Sequence, residues 1–235
     1  MSVPDVSVPN QGETTRRGVA LIAAGVGFVV LYLLVTVLSS AVASSALPLP
    51  DDPAEEVRDW FAHNQFAAVL TGGLQVLSVG CLVAFAVLFA GTARPSAEVA
   101  AARRARLWAL AAAGLMALSS VLGWILAGVA SSASVGTVSV LRTANFIAGG
   151  TAHVFVLGVF VLLASRVPGF GRPVRVFGYV AAVVSVLSLV SLVWYTGAVF
   201  ILLGRLLCMA WVISAAVSTT RKLAKGTWPQ AVEGG

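Results

Sequence analysis

Two arginines of this sequence lie within long apolar runs, where a positive charge needs a partner. Arg205 stands in "VWYTGAVFILLGRLLCMAW", residues 193–211, with at least seven uncharged residues on each side. Arg142 lies three residues before Asn145 in another apolar run. An unpaired arginine at the centre of a membrane costs about 2.5–3.5 kcal/mol on insertion scales. The guanidinium group also suits carboxylates and phosphates, so the chemistry indicated is anion binding.

Helical rise places further polar side chains at a comparable depth. At about 1.5 Å per residue, Arg205 lies about 12 Å below the outer boundary and Gln75 roughly 15 Å below it. On the same scale Arg142 and Asn145 lie within about 8 Å of that boundary. We therefore take Arg205, Arg142, Asn145 and Gln75 as candidate ligand-binding residues. Serines of the same half extend this predicted polar layer: Ser119, Ser120, Ser188 and Ser191.

The neutralising partner of Arg205 is left open by the sequence, because the apolar runs contain no acidic residue. Asp59 or Glu56 of an acidic outer segment can fold over the mouth of the bundle and serve as charge partners. Alternatively, Arg205 donates to Gln75, Asn145, serine hydroxyls and free carbonyl groups. It can also reach outward to an anion, such as a lipid phosphate or a carboxylate ligand, or face an acid of another subunit.

The residue types typical of metal, haem or catalytic sites do not form a convincing pattern. His63 lies at the predicted outer boundary and His153 about 18 Å down its run, so the two cannot face one haem iron. Glu55, Asp59 and His63 share a helical stripe, but charged stripes usually face water and zinc needs a tighter cluster. No nucleophile triad, HExxH, P-loop or GxGxxG context occurs. We expect no cofactor, no metal site and no catalytic residue.

The composition indicates that this is a membrane protein, with lipid around much of its surface. Hydrophobic residues make up 59% of the 235 residues and charged residues only 10%, against roughly 45–50% and about 25% in soluble domains. Twelve of the fifteen Lys and Arg residues flank apolar runs, which is a membrane pattern and not a nucleic-acid one. Cys81 and Cys208 lie inside apolar runs and are interpreted as packing residues. Arginine outnumbers lysine thirteen to two, which indicates a bacterial protein and hence its inner membrane.

Six apolar runs are long enough to cross about 30 Å of hydrocarbon. The last two form one run of 44 residues, which as a single helix would be about 66 Å long. Because both ends of that run are basic, we expect the chain to turn back at residues 194–197. The sequence thus predicts an all-α fold with transmembrane spans at 18–43, 65–91, 107–130, 141–165, 176–195 and 198–219. Residues 1–17 are predicted to be a disordered tail, and residues 220–235 a C-terminal tail.

The charge of the connecting segments predicts the orientation. Arginines precede the first span, join the second to the third and the fourth to the fifth, and follow the sixth together with two lysines. The first outer loop is acidic instead, with Asp51, Asp52, Glu55, Glu56 and Asp59. Because cytoplasmic loops carry the excess of Lys and Arg, both termini and both tails are expected in the cytoplasm.

The acidic outer loop has the signals of a short helix at residues 53–63. Asp52 is a favourable N-cap and Pro53 suits the first turn. Val57, Trp60 and Phe61 share one face, which would lie on the membrane or on the top of the bundle. We therefore expect an amphipathic interfacial helix.

Two segments resemble a bacterial six-helix membrane family known only as a domain of unknown function. They are the acidic "DDPAEEVRDWF" and the stretch "FIAGGTAHVFVLGVFVLLASRVPGFGRPVRVFGYVAAV" across the predicted fourth and fifth spans. The resemblance implies an integral membrane protein and carries no activity or site residue.

These observations favour a non-catalytic membrane protein that binds or regulates. Its expected feature is an outward-facing basic pocket for an anionic amphiphile or a membrane lipid. A small-solute transporter or channel subunit is the alternative, although the missing intramembrane carboxylates weigh against ion coupling. A structural subunit of a membrane complex is the second alternative, with a homo-oligomer or another membrane protein as the partner.

Overall fold

The computed structural model describes residues 11–49, 52–92 and 97–228, and the described chain forms helices without any strand. The helices are, in chain order, α1 (Gln11–Val42), α2 (Ala54–His63), α3 (Gln65–Ala90), α4 (Ala97–Val129), α5 (Val135–Phe146), α6 (His153–Ser165), α7 (Arg172–Leu187) and α8 (Val199–Ala224). A π-helical segment, Ile147–Ala152, joins α5 to α6, and 3₁₀ turns at Ser188–Leu192 and Tyr195–Ala198 connect α7 to α8.

Six helical stretches are long and apolar enough to cross a membrane, which confirms the predicted number of spans. They are α1, α3, α4, α5 with α6, α7 with its 3₁₀ turn, and α8. The chain turns back between α7 and α8 where the sequence predicted it. Gly197 permits this turn, because a Cβ atom there would lie 3.0 Å from the backbone nitrogen of Ser191. The arrangement is that of a multi-pass membrane protein.

The helices extend further into the predicted tails than hydropathy suggested. Residues 11–17 belong to α1, where Arg17 forms an ion pair of 2.6 Å with Glu13 one helical turn earlier. At the other terminus Trp228 is only 4% exposed, and its ring centroid lies 5.5 Å from that of Phe170. Residues 11–17, which the sequence assigned to a disordered tail, are therefore helical here, and the C-terminal tail packs on the bundle as far as residue 228. Residues 1–10 and 229–235 lie outside the described chain.

The short helix of the acidic loop is present, but its N-cap differs from the prediction. Pro53 occupies the N-cap position of α2, without a side-chain capping bond. The Asp52 carboxylate instead accepts a hydrogen bond of 2.6 Å from the backbone nitrogen of Leu49. The apolar face of α2, formed by Val57, Trp60 and Phe61, packs with residues of α3, α4 and α5 in one buried cluster.

The six spans close into a ring. α1 contacts α3 and α8, α3 contacts α4, α4 contacts α6, and α7 lies between α6 and α8. α6 also touches α8 across the ring. We call the end of the bundle that carries α2 the α2 end, and the opposite end, where α1 begins and α8 finishes, the terminal end.

The terminal half of the ring is filled by aromatic side chains. Phe160 packs edge-on against Phe85 and Trp211, with ring centroids 6.4 and 6.1 Å apart. α7 and α8 approach closely at Gly204, where a Cβ atom would lie 2.9 Å from the Cα of Ser185. Small residues permit such contacts between membrane helices. The α2 half is packed less completely and contains a cavity.

Candidate functional site

The cavity in the α2 half has a volume of about 240 Å³. Arg205, Arg142, Asn145 and Gln75, the four predicted ligand-binding residues, all line it. Its other polar side chains are Thr71, Ser119 and Ser120, and its apolar walls include Leu47, Trp60, Phe61, Phe146 and Ile201. The fold thus brings polar groups from α3, α4, α5 and α8 around one space.

Arg205 is buried against neutral partners. Its side chain is 8% exposed. Nη1 donates a hydrogen bond to the hydroxyl oxygen of Tyr32, and Nη2 donates to the carbonyl oxygen of Gly149. The guanidinium carbon lies 4.9 Å from the centroid of the Tyr32 ring, within the range of a cation–π contact. Nε is buried without a hydrogen-bond partner, and no carboxylate contacts Arg205 within the described chain.

The π-helical segment supplies one of these partners. Segments of this kind are rare and often occur at functional sites. Gly149 lies within it, and a Cβ atom at this position would collide with the side chain of Ser119 on α4. The absence of a side chain therefore lets the segment approach α4 closely. Its carbonyl oxygen at Gly149 faces Arg205, which extends from α8.

Arg142 connects the cavity to the loop after α1. Its side chain is 9% exposed, Nη2 donates to the carbonyl oxygen of Pro48 at 2.9 Å, and Nη1 donates to Oδ1 of Asn145 at 3.3 Å. Asn145 is itself fixed by α4, because its Nδ2 donates to the carbonyl oxygen of Ser119 at 2.6 Å. The Ser119 hydroxyl donates back to the carbonyl oxygen of Asn145 at 3.0 Å. This reciprocal pair orients the amide towards Arg142.

The α3 wall presents Gln75 and Thr71. The Ser120 hydroxyl donates to Oε1 of Gln75 at 3.2 Å and to the carbonyl oxygen of Met116 at 3.1 Å. The hydroxyl oxygens of Thr71 and Ser39 lie 2.5 Å apart, which joins α3 to α1. This wall therefore offers neutral hydrogen-bonding groups beside the two arginines.

Two aromatic rings of α2 form the wall on the side of the acidic loop. Trp60 and Phe61 are buried, and their rings meet edge to face at 5.0 Å. The indole Nε1 of Trp60 donates to the carbonyl oxygen of Ser45 at 3.0 Å. These contacts hold α2 against the mouth of the cavity.

The acids considered as charge partners lie in a different place. Glu56 and Asp59 line a separate groove of about 710 Å³, together with Asp52, His63 and the 44–49 loop. Neither lines the cavity of Arg205, and the Asp59 carboxylate lies 3.5 Å from Nε of Arg58. The folding of these carboxylates over Arg205, one of the alternatives above, is therefore not the arrangement of this structure.

The predicted polar layer is divided between the cavity and a packed helix contact. Ser119 and Ser120 line the cavity, whereas Ser188 and Ser191 do not. The hydroxyl oxygens of Ser191 and Thr151 lie 2.8 Å apart, and Ser191 also donates to the carbonyl oxygen of Ser188 at 2.7 Å. These two serines are satisfied within the protein.

The two histidines differ in their exposure to solvent. His63 is exposed on α2, with Nδ1 2.7 Å from the carbonyl oxygen of Asp59. His153 is fully buried, with Nδ1 2.8 Å from the carbonyl oxygen of Ala112. Within the described ranges no group of three or more His, Cys, Asp or Glu residues is placed to hold a metal ion.

The polar lining ends about one helical turn towards the terminal end. On α3, Val79 lies one helical turn beyond Gln75, and on α4, Met116 lies one turn before Ser119. In the same way, His153 lies one turn beyond Gly149, and Cys208 lies one turn beyond Arg205. These four residues, Val79, Met116, His153 and Cys208, are between 0 and 5% exposed. The residues that continue the cavity walls are therefore packed, and the aromatic core lies beyond them.

Sequence reasoning missed Tyr32 and the carbonyl oxygen of Gly149 as partners of Arg205. It also missed the two rings of α2 as parts of the cavity lining. A hydroxyl-bearing aromatic residue in the middle of the first apolar run was the available signal for Tyr32. No sequence signal identifies which carbonyl oxygen a π-helical segment presents.

No family model, curated protein or solved structure matches this chain. The resemblance to the six-helix family therefore rests on the two quoted segments.

Proposed function

We propose that this protein is a non-catalytic binding or regulatory protein of a bacterial inner membrane. Its cavity would receive the anionic head of an amphiphile or lipid. In this proposal α2 lies on the outer side, as an interfacial helix, and both termini lie in the cytoplasm. The observation that carries the proposal is Arg205, a buried cation that lines the cavity and that no carboxylate contacts within the described chain.

An anion fits this cavity for electrostatic reasons. Tyr32 and Gly149 satisfy hydrogen bonds of Arg205 but supply no negative charge. The cavity lining contains two arginines and no carboxylate among the described residues. A bound phosphate or carboxylate would compensate this charge, and charge-assisted hydrogen bonds are the strong ones. The apolar walls suit an amphiphile better than a small ion.

The residues beyond the cavity favour binding of a ligand over its transport across the membrane. Val79, Met116, His153 and Cys208 are buried there and close the polar lining. A transporter or channel subunit would need a route between these residues. A structural subunit would use Arg205 to meet an acid of a partner. We therefore place binding before both alternatives.

A cavity-filling substitution tests this proposal without removing Arg205. Gly123 lines the cavity, and a Cβ atom there would lie 3.6 Å from Nδ2 of Asn145, an ordinary contact. Gly123→Leu therefore fills the space from α4. Gly73→Leu is the matched control, because Gly73 does not line the cavity and no atom lies within 4 Å of a Cβ built there.

The measurement is native mass spectrometry of both variants, the wild type and Arg205→Leu in mild detergent. We expect a lipid-sized adduct of defined mass on the wild type and on Gly73→Leu, and its loss from the other two. Circular dichroism and gel filtration establish that each variant is folded. An adduct retained by folded Gly123→Leu, or none on the wild type in the presence of added phospholipid, would contradict the proposal.

A further inference from the structure

A series of contacts joins Arg205 to Gln75, and both residues line the same cavity. Arg205 of α8 donates to the carbonyl oxygen of Gly149 in the π-helical segment. Gly149 lies against the side chain of Ser119 on α4. The next residue of α4, Ser120, donates from its hydroxyl to Oε1 of Gln75 on α3 at 3.2 Å. The contacts therefore connect α8 to α3 around one side of the cavity.

The register of α1 and α3 places Gln75 at the level of Arg205. Two contacts fix this antiparallel register, about one helical turn on either side of Gln75. They are the hydrogen bond of 2.6 Å from Ser78 to the carbonyl oxygen of Phe28 and the approach of the Thr71 and Ser39 hydroxyl oxygens to 2.5 Å. Tyr32 lies between the two α1 residues of these contacts, at about the level of Gln75. Arg205 donates to the Tyr32 hydroxyl, so Arg205 and Gln75 belong to one layer of the bundle.

This layer offers donor hydrogens from two side chains. The contact with Ser120 engages the oxygen of the Gln75 amide. Nε2 of the same amide donates to no group of the described chain and remains accessible. Each Nη nitrogen of Arg205 carries two hydrogens, of which the contacts to Tyr32 and Gly149 use one each. An anion in the cavity can therefore accept hydrogen bonds from Arg205 and from Gln75.

The charge of the lining disfavours an amine in the same head group. Arg142 and Arg205 line the cavity, and none of the described lining residues is a carboxylate. An ammonium group would therefore meet like charges without a counter-charge, and this repulsion is strong where water is scarce. The lining also contains neutral side chains that can pair with hydroxyl groups, which both donate and accept. They are Thr71, Gln75, Ser119, Ser120 and Asn145.

The size of the cavity limits what it can enclose. Its volume is about 240 Å³, whereas sites that enclose a drug-sized molecule have about 300–1,000 Å³. A lipid head group is the part that this space can hold, and acyl chains would remain outside it.

We propose that this cavity selects a phosphate ester whose remaining head groups are uncharged hydroxyls, with the phosphate bound between Arg205 and Gln75. The inference rests on the proposed function and names its ligand class. A phosphate suits this layer better than a carboxylate, because its tetrahedral oxygens can face donors on both α8 and α3. The hydroxyls of the head pair with the neutral side chains of the lining. Gln75 is the residue that determines this specificity.

The lipid form of this chemistry is tested by competition. The wild type is mixed in detergent with equal amounts of phosphatidylglycerol and phosphatidylethanolamine that have distinguishable acyl chains, and bound lipids are counted by native mass spectrometry. One hydrogen bond of ordinary strength changes affinity about twofold to tenfold. We therefore expect a preference of at least about threefold for phosphatidylglycerol.

Two substitutions of Gln75 test its role. Gln75→Leu removes the donor and should weaken phosphatidylglycerol binding about twofold to tenfold. Gln75→Glu puts a carboxylate at the level of Arg205 and should abolish phosphatidylglycerol binding. Gln65→Leu is the matched control, because Gln65 is an exposed glutamine of the same helix that does not line the cavity. Circular dichroism and gel filtration establish folding, and either folded Gln75 variant suffices for the test.

The soluble form of the ligand is tested by isothermal calorimetry with sn-glycerol 3-phosphate. Binding of this compound that a folded Gln75 variant weakens would identify a soluble ligand with the same chemistry. Binding of phosphatidylglycerol alone would identify a lipid.

The outcomes separate this inference from the proposed function. If the wild type binds phosphatidylethanolamine as well as phosphatidylglycerol, the selection of hydroxyls is refuted while anion binding stands. Wild-type binding of phosphatidylglycerol by folded Gln75→Glu would refute the placement of the phosphate beside Gln75. If neither lipid nor sn-glycerol 3-phosphate binds, both proposals fail.

Discussion

Replacing Arg205 by methionine should leave the unliganded protein about as stable as before, or slightly more stable. The substitution removes two hydrogen bonds, to Tyr32 and to the carbonyl oxygen of Gly149, each worth about 0.6 kcal/mol in a membrane protein. It also removes the contact with the Tyr32 ring, worth about 0.5–1 kcal/mol. The loss is then about 2 kcal/mol. Removal of the buried charge recovers about 2.5–3.5 kcal/mol, so the net change is about 1 kcal/mol in favour of the variant.

The assay is reversible unfolding in mixed micelles with increasing SDS, followed by tryptophan fluorescence on protein freed of lipid. Arg103→Met is the matched control, because Arg103 is exposed near the start of α4, and it should change the free energy of unfolding by no more than about 0.5 kcal/mol. A loss above about 3 kcal/mol for Arg205→Met alone would refute the reasoning. It would mean that Arg205 is retained for folding and not for a ligand.

Three further predictions concern packing and orientation. Gly149→Ala should destabilise the fold by about 1–3 kcal/mol in the same unfolding assay, because the added Cβ atom meets the side chain of Ser119. Adding Ser119→Gly to this variant should restore most of the lost stability. If the two substitutions change the free energy of unfolding additively, the contact is contradicted. Trp228→Ala should speed tryptic release of the C-terminal segment about tenfold or more, because burial of a large apolar side chain contributes about 1.5–3 kcal/mol; an unchanged fragment pattern by mass spectrometry would contradict the docking. In a variant whose native cysteines are replaced, Glu55→Cys should react with a membrane-impermeant maleimide on intact cells and Lys225→Cys should not, and the reverse pattern would overturn the proposed orientation.

The number of spans could be predicted because length and hydropathy determine it. A helix must present about 20 apolar residues to lipid, and each of the six runs does so. The reversal at residues 194–197 followed from the basic residues at both ends of the long run. The helix ends were less predictable, since a helix continues into water when local contacts support it. The ion pair of Glu13 with Arg17 and the packing of Trp228 are such contacts.

The candidate site could be predicted only in part, because sequence position gives the depth of a residue but not the direction of its side chain within the bundle. Depth alone grouped Arg205, Arg142, Asn145 and Gln75, and the structure places all four around one cavity. The same argument also included Ser188 and Ser191, which instead contact Thr151 of the π-helical segment. The rotation of each helix about its own axis and its packing decide whether a polar side chain faces the cavity or a neighbouring segment.

The sequence by itself determined that this chain has six helical stretches long and apolar enough to cross a membrane, and it gave the approximate depth of the polar residues within them. The tertiary structure decided how Arg205 is held. Its hydroxyl partner Tyr32 lies 173 residues away in the chain, and its carbonyl partner depends on a π-helical segment that approaches α4 at Gly149. Contacts between distant segments depend on the packing of whole helices, whereas membrane insertion depends on the local composition of each run.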